Sequence, residues 1–125
     1  MSADQKAQEL GIEFSAVEPG YLNLCIRTGN LLMTSGHTSD IKGKLGRDLS
    51  VEQGYAAAKE CAIKILNSVR DEHGTLDGLR VIKVLGCVNC TQDFTDQHLV
   101  INGCSDLLHE IFGKEGDGFH ARSAL

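Results

Sequence analysis

The stretch Ser50–Gly74, SVEQGYAAAKECAIKILNSVRDEHG, decides the fold. Ser50 followed three residues later by Gln53 is a capping-box pattern, in which two side chains satisfy backbone N–H groups that a first helical turn leaves open. Val51, Tyr55, Ala58, Cys61, Ala62, Ile65, Leu66 and Val69 then recur at helical spacing, while Glu52, Lys59, Glu60, Lys64 and Arg70 occupy the remaining surface. The spacing predicts a helix over 51–72 with one packed and one solvated side, stopped by Gly74.

Downstream, Val100, Ile101, Cys104, Leu107, Leu108, Ile111 and Phe112 form a second stripe, so a second helix is predicted over 97–112, with Asp96 able to cap it and Gly113 to end it. Between the helices, 79–88 is rich in Val, Ile and Leu and suits a strand covered on one face. Upstream, the apolar runs 21–27 and 31–35 flank Thr28-Gly29-Asn30 and predict a hairpin. Residues 40–49 suit a polar loop with a short edge strand, and beyond the glycine-rich linker Lys114 to Gly118, the segment His120 to Leu125 opens another strand. The order strand, strand, helix, strand, helix, strand predicts an α/β (α+β) fold: a mixed sheet with two helices packed on one face. Its opposite face needs cover, so self-association is expected.

At 125 residues one domain, 1–125, is expected. The net charge of −5 and singly scattered Lys and Arg give no basic stripe to neutralise a phosphate backbone, so no nucleic acid is expected as a partner. Met1 to Leu10 carries Asp4 and Glu9 and has neither a signal-peptide core nor an Arg-rich face; with no apolar run near ~20 residues, no membrane span is expected, and the location read is cytoplasmic. The five cysteines lie within apolar patterns and read as reduced and buried.

Cys87-Val88-Asn89-Cys90 has redox or zinc half-motif spacing, but residues three apart on a strand point to opposite faces and no second pair completes a tetrad. The histidines His37, His73, His98, His109 and His120 form no ligand motif, so neither metal nor cofactor is expected. No nucleophile elbow, P-loop or dinucleotide-binding turn is present. Thr34-Ser35-Gly36-His37 closes the second strand with a hydroxyl and a close-approach glycine, a pattern that ordinary turns share. In His120-Ala121-Arg122-Ser123-Ala124 a lone guanidinium sits among small residues and needs an anion, either a side-chain carboxylate of the chain or a ligand's. The planar arginine fork meets a carboxylate with two parallel hydrogen bonds.

Gly29-Asn30 with Thr34-Ser35-Gly36, the helix opening SVEQ, Asp93-Phe94, Val100-Ile101-Asn102, Phe112-Gly113 and Ala121-Arg122-Ser123, in this order, resemble the Rid (reactive intermediate deaminase, YjgF-like) family. The resemblance spans most of the chain. It implies a chorismate-mutase-like fold and a homotrimer with clefts between adjacent subunits. It further implies that Arg122 grips a substrate carboxylate, with Ser35, Gly36 and Asn102 lining the cleft and Tyr21 standing, one residue out of register, for the family tyrosine. His37 replaces a family glutamine, and Ala124 a frequent cysteine. The implied activity is hydrolytic deamination of small enamine or imine intermediates, such as 2-aminoacrylate, to 2-keto acids and ammonia. The alternative is binding of a small carboxylate metabolite without turnover. Family members continue past the arginine into further strands bearing a glutamate that helps position water. That glutamate would lie beyond Leu125, so the domain is read as shortened at its C-terminal end, its catalytic acid or base unknown.

Overall fold

In the computed structural model, which describes residues 1–125, helix α2 (Val51–His73) closes at both ends as its sequence requires. The Ser50 hydroxyl accepts from the Gln53 N–H at 3.2 Å, and the Gln53 side chain accepts from the Ser50 N–H at 2.8 Å. At the other end Gly74 takes φ 91°, and its N–H donates to the Arg70 carbonyl. Ala58, Ala62 and Leu66 line the buried side.

Helix α3 (Gln97–Phe112) buries Val100, Ile101, Cys104, Leu107, Leu108 and Ile111 against α2. The two helices pack closely because α3 has no side chain at Gly103: a Cβ there would stand 2.0 Å from the Tyr55 carbonyl oxygen. Asp96 occupies the cap position without a side-chain capping bond, unlike the sequence expectation. Its carbonyl instead accepts from Leu99 and Val100. Beyond α3 the expected linker is a π turn, Gly113–Asp117, whose backbone leaves helical geometry at Gly116.

The hairpin pairs β1 (Cys25–Thr28) with β2 (Leu31–Thr34), Thr28 opposite Leu31. Only Gly29, at φ 58°, uses the positive-φ region, so the glycine rather than the asparagine makes the turn. The second sheet pairs β3 (Lys83–Gly86) with β4 (Ala121–Ala124) in parallel, with Val84 opposite Arg122. Within the expected 79–88 strand only these four residues find a ladder partner; Val81 turns its N–H to the Asp117 carbonyl instead. The strand expected over 120–125 is likewise shorter, and Leu125 follows it as an exposed residue outside the ladder. Its backbone still ties down the end of β4: the Leu125 N–H donates to the Gly86 carbonyl and its carbonyl accepts from the Val88 N–H, both at 2.8 Å.

The strands therefore form two separate two-stranded sheets rather than one continuous mixed sheet, the hairpin against α2 and the parallel pair beside α3. Away from the helices, Ile26 and Met33 on the hairpin and Leu85 on β3 are exposed, the bare surface that the sequence leads one to expect. Residues 40–49 form a loop whose Leu45 is buried and bridges to Cys90.

Helix α1 (Ala3–Glu9) is an element that the sequence pattern does not signal. A Ser2–Gln5 capping box starts it, Ala7 is fully buried, and the Asp4 carboxylate accepts from the Leu76 N–H and the Thr75 hydroxyl. No helix is long and apolar enough to cross a membrane.

Candidate functional site

A polar stripe interrupts the apolar surface of α3. His98, Asn102, Ser105 and His109 lie at i, i+4, i+7 and i+11, the spacing that stacks side chains along one helical face. His120 and Arg122 flank Ala121 at the start of β4, and residues two apart on an extended strand share a face. Helix and strand bring the two sets together.

Arg122 Nη1 donates to Asn102 Oδ1 at 2.9 Å and to Ser105 Oγ at 3.1 Å, and Nη2 donates at 3.4 Å to the His98 carbonyl. No carboxylate of the chain lies within ion-pair distance of the guanidinium. A guanidinium carries five N–H groups in a rigid fork. The three contacts go to Nη1 and Nη2 and none to Nε, leaving the Nε–H edge and one Nη2–H without a partner in the chain. That edge reaches solvent, since no buried polar side-chain atom is left unpaired.

Ser105 is 5% exposed and links the arginine to a histidine. Its hydroxyl lies 2.9 Å from His120 Nε2, while His120 Nδ1 lies 2.6 Å from the Gly118 carbonyl. The His109 ring sits beside His120, centroids 5.2 Å apart. Burial, then the charge of His120, holds the His109 imidazole below its ordinary range; Lys114 and Arg122 add to this and Asp106 opposes it. Behind the stripe, burial pushes the Cys104 thiol up to about 11, with Cys61 adding and Arg122 opposing, so it stays a protonated packing group at neutral pH.

Of the residues singled out from sequence, the fold joins Arg122 and Asn102 and no others. Ser35, at the end of β2, donates its hydroxyl to the Asn23 carbonyl at 2.6 Å and its N–H to the Leu24 carbonyl, which fixes the approach to β1. Gly36 beside it is exposed, with open space around its Cα, and Tyr21 is 100% exposed. His37 lies 2.8 Å through Nδ1 from the Ser35 carbonyl and 2.8 Å through Nε2 from the Ser68 hydroxyl on α2. Leu125 is the last residue described, so the glutamate that the resemblance places beyond it lies outside residues 1–125. Surface depressions of about 340 and 380 Å³ lie beside Leu76 and Phe112 and beside His37 and Lys64, and Arg122 lines neither. Cys87 is exposed and Cys90 half-buried, and no group of three His, Cys, Asp or Glu side chains is placed to hold a metal ion.

Ser105, His109 and the role of His120 do not stand out in the sequence, where the histidines form no ligand motif. The signal lay in the helical spacing of four polar residues among apolar ones.

A family described as "YjgF/chorismate_mutase-like, putative endoribonuclease" matches residues 7–124. Protein TCP17 of Trypanosoma cruzi is 37% identical over 127 residues, covering 94% of this chain and 79% of the relative. The crystal structure of protein Atu1372 from Agrobacterium tumefaciens, described as of unknown function, superposes with a TM-score of 0.85 at 36% identity, covering 98% of this chain and 79% of that one. A structure described as a putative endoribonuclease from Shewanella oneidensis MR-1 superposes with a TM-score of 0.86 at 27% identity, covering 98% and 85%.

Proposed function

This chain belongs to the YjgF/chorismate-mutase-like family, and from that premise we propose that Arg122 holds the carboxylate of a small enamine or imine acid while water hydrolyses it to a 2-keto acid and ammonia. The observation that carries this reading is the half-occupied guanidinium. Asn102, Ser105 and the His98 carbonyl hold Nη1 and Nη2, no side-chain carboxylate neutralises the group, and the free Nε–H with the remaining Nη2–H can supply the paired donors that a carboxylate accepts from.

The reaction adds water to the C=N carbon and expels ammonia, so the protein's tasks are to orient the substrate and limit bulk solvent. A single copy leaves Arg122 outside both depressions and Ser35, Gly36 and Tyr21 away from it. The proposal therefore includes a homotrimer, with one copy's Arg122 and Asn102 facing the Ser35-Gly36 strap and Tyr21 of the next. The exposed Ile26, Met33 and Leu85 support such packing. The proposed unit is one domain over 1–125, working in the cytoplasm without a cofactor or metal. A molar mass of three chains in solution is the expected result for the assembly.

Ammonia release from 2-aminoacrylate, generated in place by a pyridoxal-phosphate lyase, tests the chemistry. Loss of two charge-assisted hydrogen bonds in Arg122→Ala should lower the rate by about 100-fold. Equal release by both proteins refutes the reading.

One observation favours a second reading, binding of a 2-keto acid or amino acid without turnover. The groups touching Arg122 are an amide, a hydroxyl and a carbonyl, none of which exchanges a proton with substrate at neutral pH. Saturable binding of pyruvate with no ammonia release from the imine would select it. The endoribonuclease description of the Shewanella structure is not carried over, because a chain of charge −5 with scattered cations lacks a phosphate-binding stripe. Salt-sensitive RNA binding would reverse that judgement.

A further inference from the structure

We propose that His120, acting through the Ser105 hydroxyl, is the positioning group that holds Arg122 in its carboxylate-ready orientation; this rests on the reading of Arg122 given above.

With His120 neutral, the direction of every hydrogen bond in the chain of groups follows from the groups at its two ends. A guanidinium only donates and a peptide carbonyl only accepts. Ser105 Oγ must therefore accept from Arg122 Nη1 at one end, and His120 Nδ1 must carry the proton it gives to the Gly118 carbonyl at the other. A neutral imidazole with its proton on Nδ1 presents Nε2 as an acceptor, and the Ser105 hydroxyl proton points to it across 2.9 Å. Ser105 then has its lone pairs directed at Arg122.

A helical serine ordinarily turns its proton back to the carbonyl four residues earlier. Ser68 keeps that carbonyl within reach, its hydroxyl lying 3.2 Å from the Lys64 carbonyl and 2.8 Å from His37 Nε2. Ser105 makes no bond to the Ile101 carbonyl; its proton is committed to His120. Without the imidazole acceptor that proton is free to rotate, either back along the helix or toward the guanidinium, where it opposes Nη1. Asn102 and a long bond to the His98 carbonyl would then be the remaining restraints on the fork. His120 touches no free edge of Arg122, so its effect passes through Ser105. The titratable ring facing it is His109 of α3, and the charges that act on His109 besides His120 are Asp106, Lys114 and Arg122.

Two amide substitutions separate this role from packing. In His120→Gln the side-chain oxygen reaches the Nε2 position and can accept from Ser105; in His120→Asn the shorter amide serves the Gly118 end only. Calorimetric titration with pyruvate is run on the full chain, on both variants, on Ser105→Ala and Ser105→Thr, and on Arg122→Ala, with melting curves to confirm folding. Expected results are a fall in affinity of about tenfold for His120→Asn and Ser105→Ala, and recovery to within about threefold of the parent for His120→Gln and Ser105→Thr. Nitrogen-15 spectra of the parent should show the His120 tautomer protonated on Nδ1. If Arg122→Ala abolishes binding while His120→Asn and Ser105→Ala bind like the parent, the positioning role is overturned and the carboxylate reading stands. Equal loss in His120→Gln and His120→Asn, or a tautomer protonated on Nε2, also overturns it. If the parent itself does not bind pyruvate, or binds it as well without Arg122, the reading beneath fails and takes the inference with it.

Discussion

Ser68 on α2 and Ser105 on α3 are the two buried polar side chains of this protein, and their surroundings match closely. Each meets Nε2 of a histidine, and each histidine's Nδ1 meets the carbonyl two residues before it, Ser35 for His37 and Gly118 for His120. In both halves the unit fastens an extended segment onto a helix. The halves differ in what else the serine meets. Ser68 also lies 3.2 Å from the Lys64 carbonyl of its own helix, whereas Ser105 accepts from Arg122. The same local device is thus a clamp in the hairpin half and a clamp carrying a cation in the parallel half. A serine–histidine contact alone is therefore no sign of a site in this fold; the unneutralised guanidinium is.

The comparison breaks most sharply at Arg122. Arg122→Ala should cost about 100-fold in affinity for pyruvate, roughly 3 kcal/mol, with little change in melting temperature, because two of its partners, Asn102 and His98, sit where water reaches them. A large stability loss with unaltered binding would recast Arg122 as a second structural clamp. Gly103→Ala strikes what the halves share. The new methyl meets the Tyr55 carbonyl, so a stability loss of about 1–3 kcal/mol by urea unfolding is expected despite the better helix propensity of alanine. Unchanged or increased stability would mean that the helix crossing yields easily.

Ser68→Ala sharpens the contrast at smaller scale. It leaves His37 Nε2 without its partner and should cost about 1–2 kcal/mol of stability, with at most a severalfold effect on pyruvate affinity. An effect on binding as large as that of Arg122→Ala would erase the distinction between the halves.

The smallest effects are electrostatic. The His109 imidazole is held below its ordinary range by burial and then by His120, so the unfolded chain takes up its proton first, and stability falls as pH drops through the ordinary imidazole range. For Asp4, burial raises the carboxyl, but the Thr75 hydroxyl, the Leu76 N–H and the Arg70 charge outweigh it and leave it lowered. Its contribution is present above the usual carboxylate range and is lost as pH falls through the depressed value. Urea unfolding across pH should thus show two acid-side declines, the upper one removed by His109→Asn and the lower, to which the depressed Asp48 and Glu60 carboxyls also contribute, reduced by Asp4→Asn. A flat profile in either window contradicts that assignment.

Much of this architecture was legible before folding. The stripes of α2 and α3 are long enough for a period of 3.6 to stand out, and Gly74 and Gly113 mark their stops at positive φ. Helix α1 was not legible, since seven residues carry too little periodicity and its anchors, Thr75 and Leu76, are distant in sequence. Strand lengths were overread because a ladder needs a partner, and apolar composition does not say where the partner ends. At the site, Arg122 announced itself as a charge among small residues. Ser105 and His120 did not, because their meaning arises only when β4 is laid against α3.

The central claim is that one edge of Arg122 is held by α3 while the other waits for a carboxylate. Nitrogen-15 spectra of the arginine side chains during a pyruvate titration test it directly. The Arg122 Nε–H resonance should move downfield and saturate, as expected for a new charge-assisted hydrogen bond on the free edge. An Nε–H signal that stays in place while pyruvate demonstrably binds elsewhere on the protein would contradict the account.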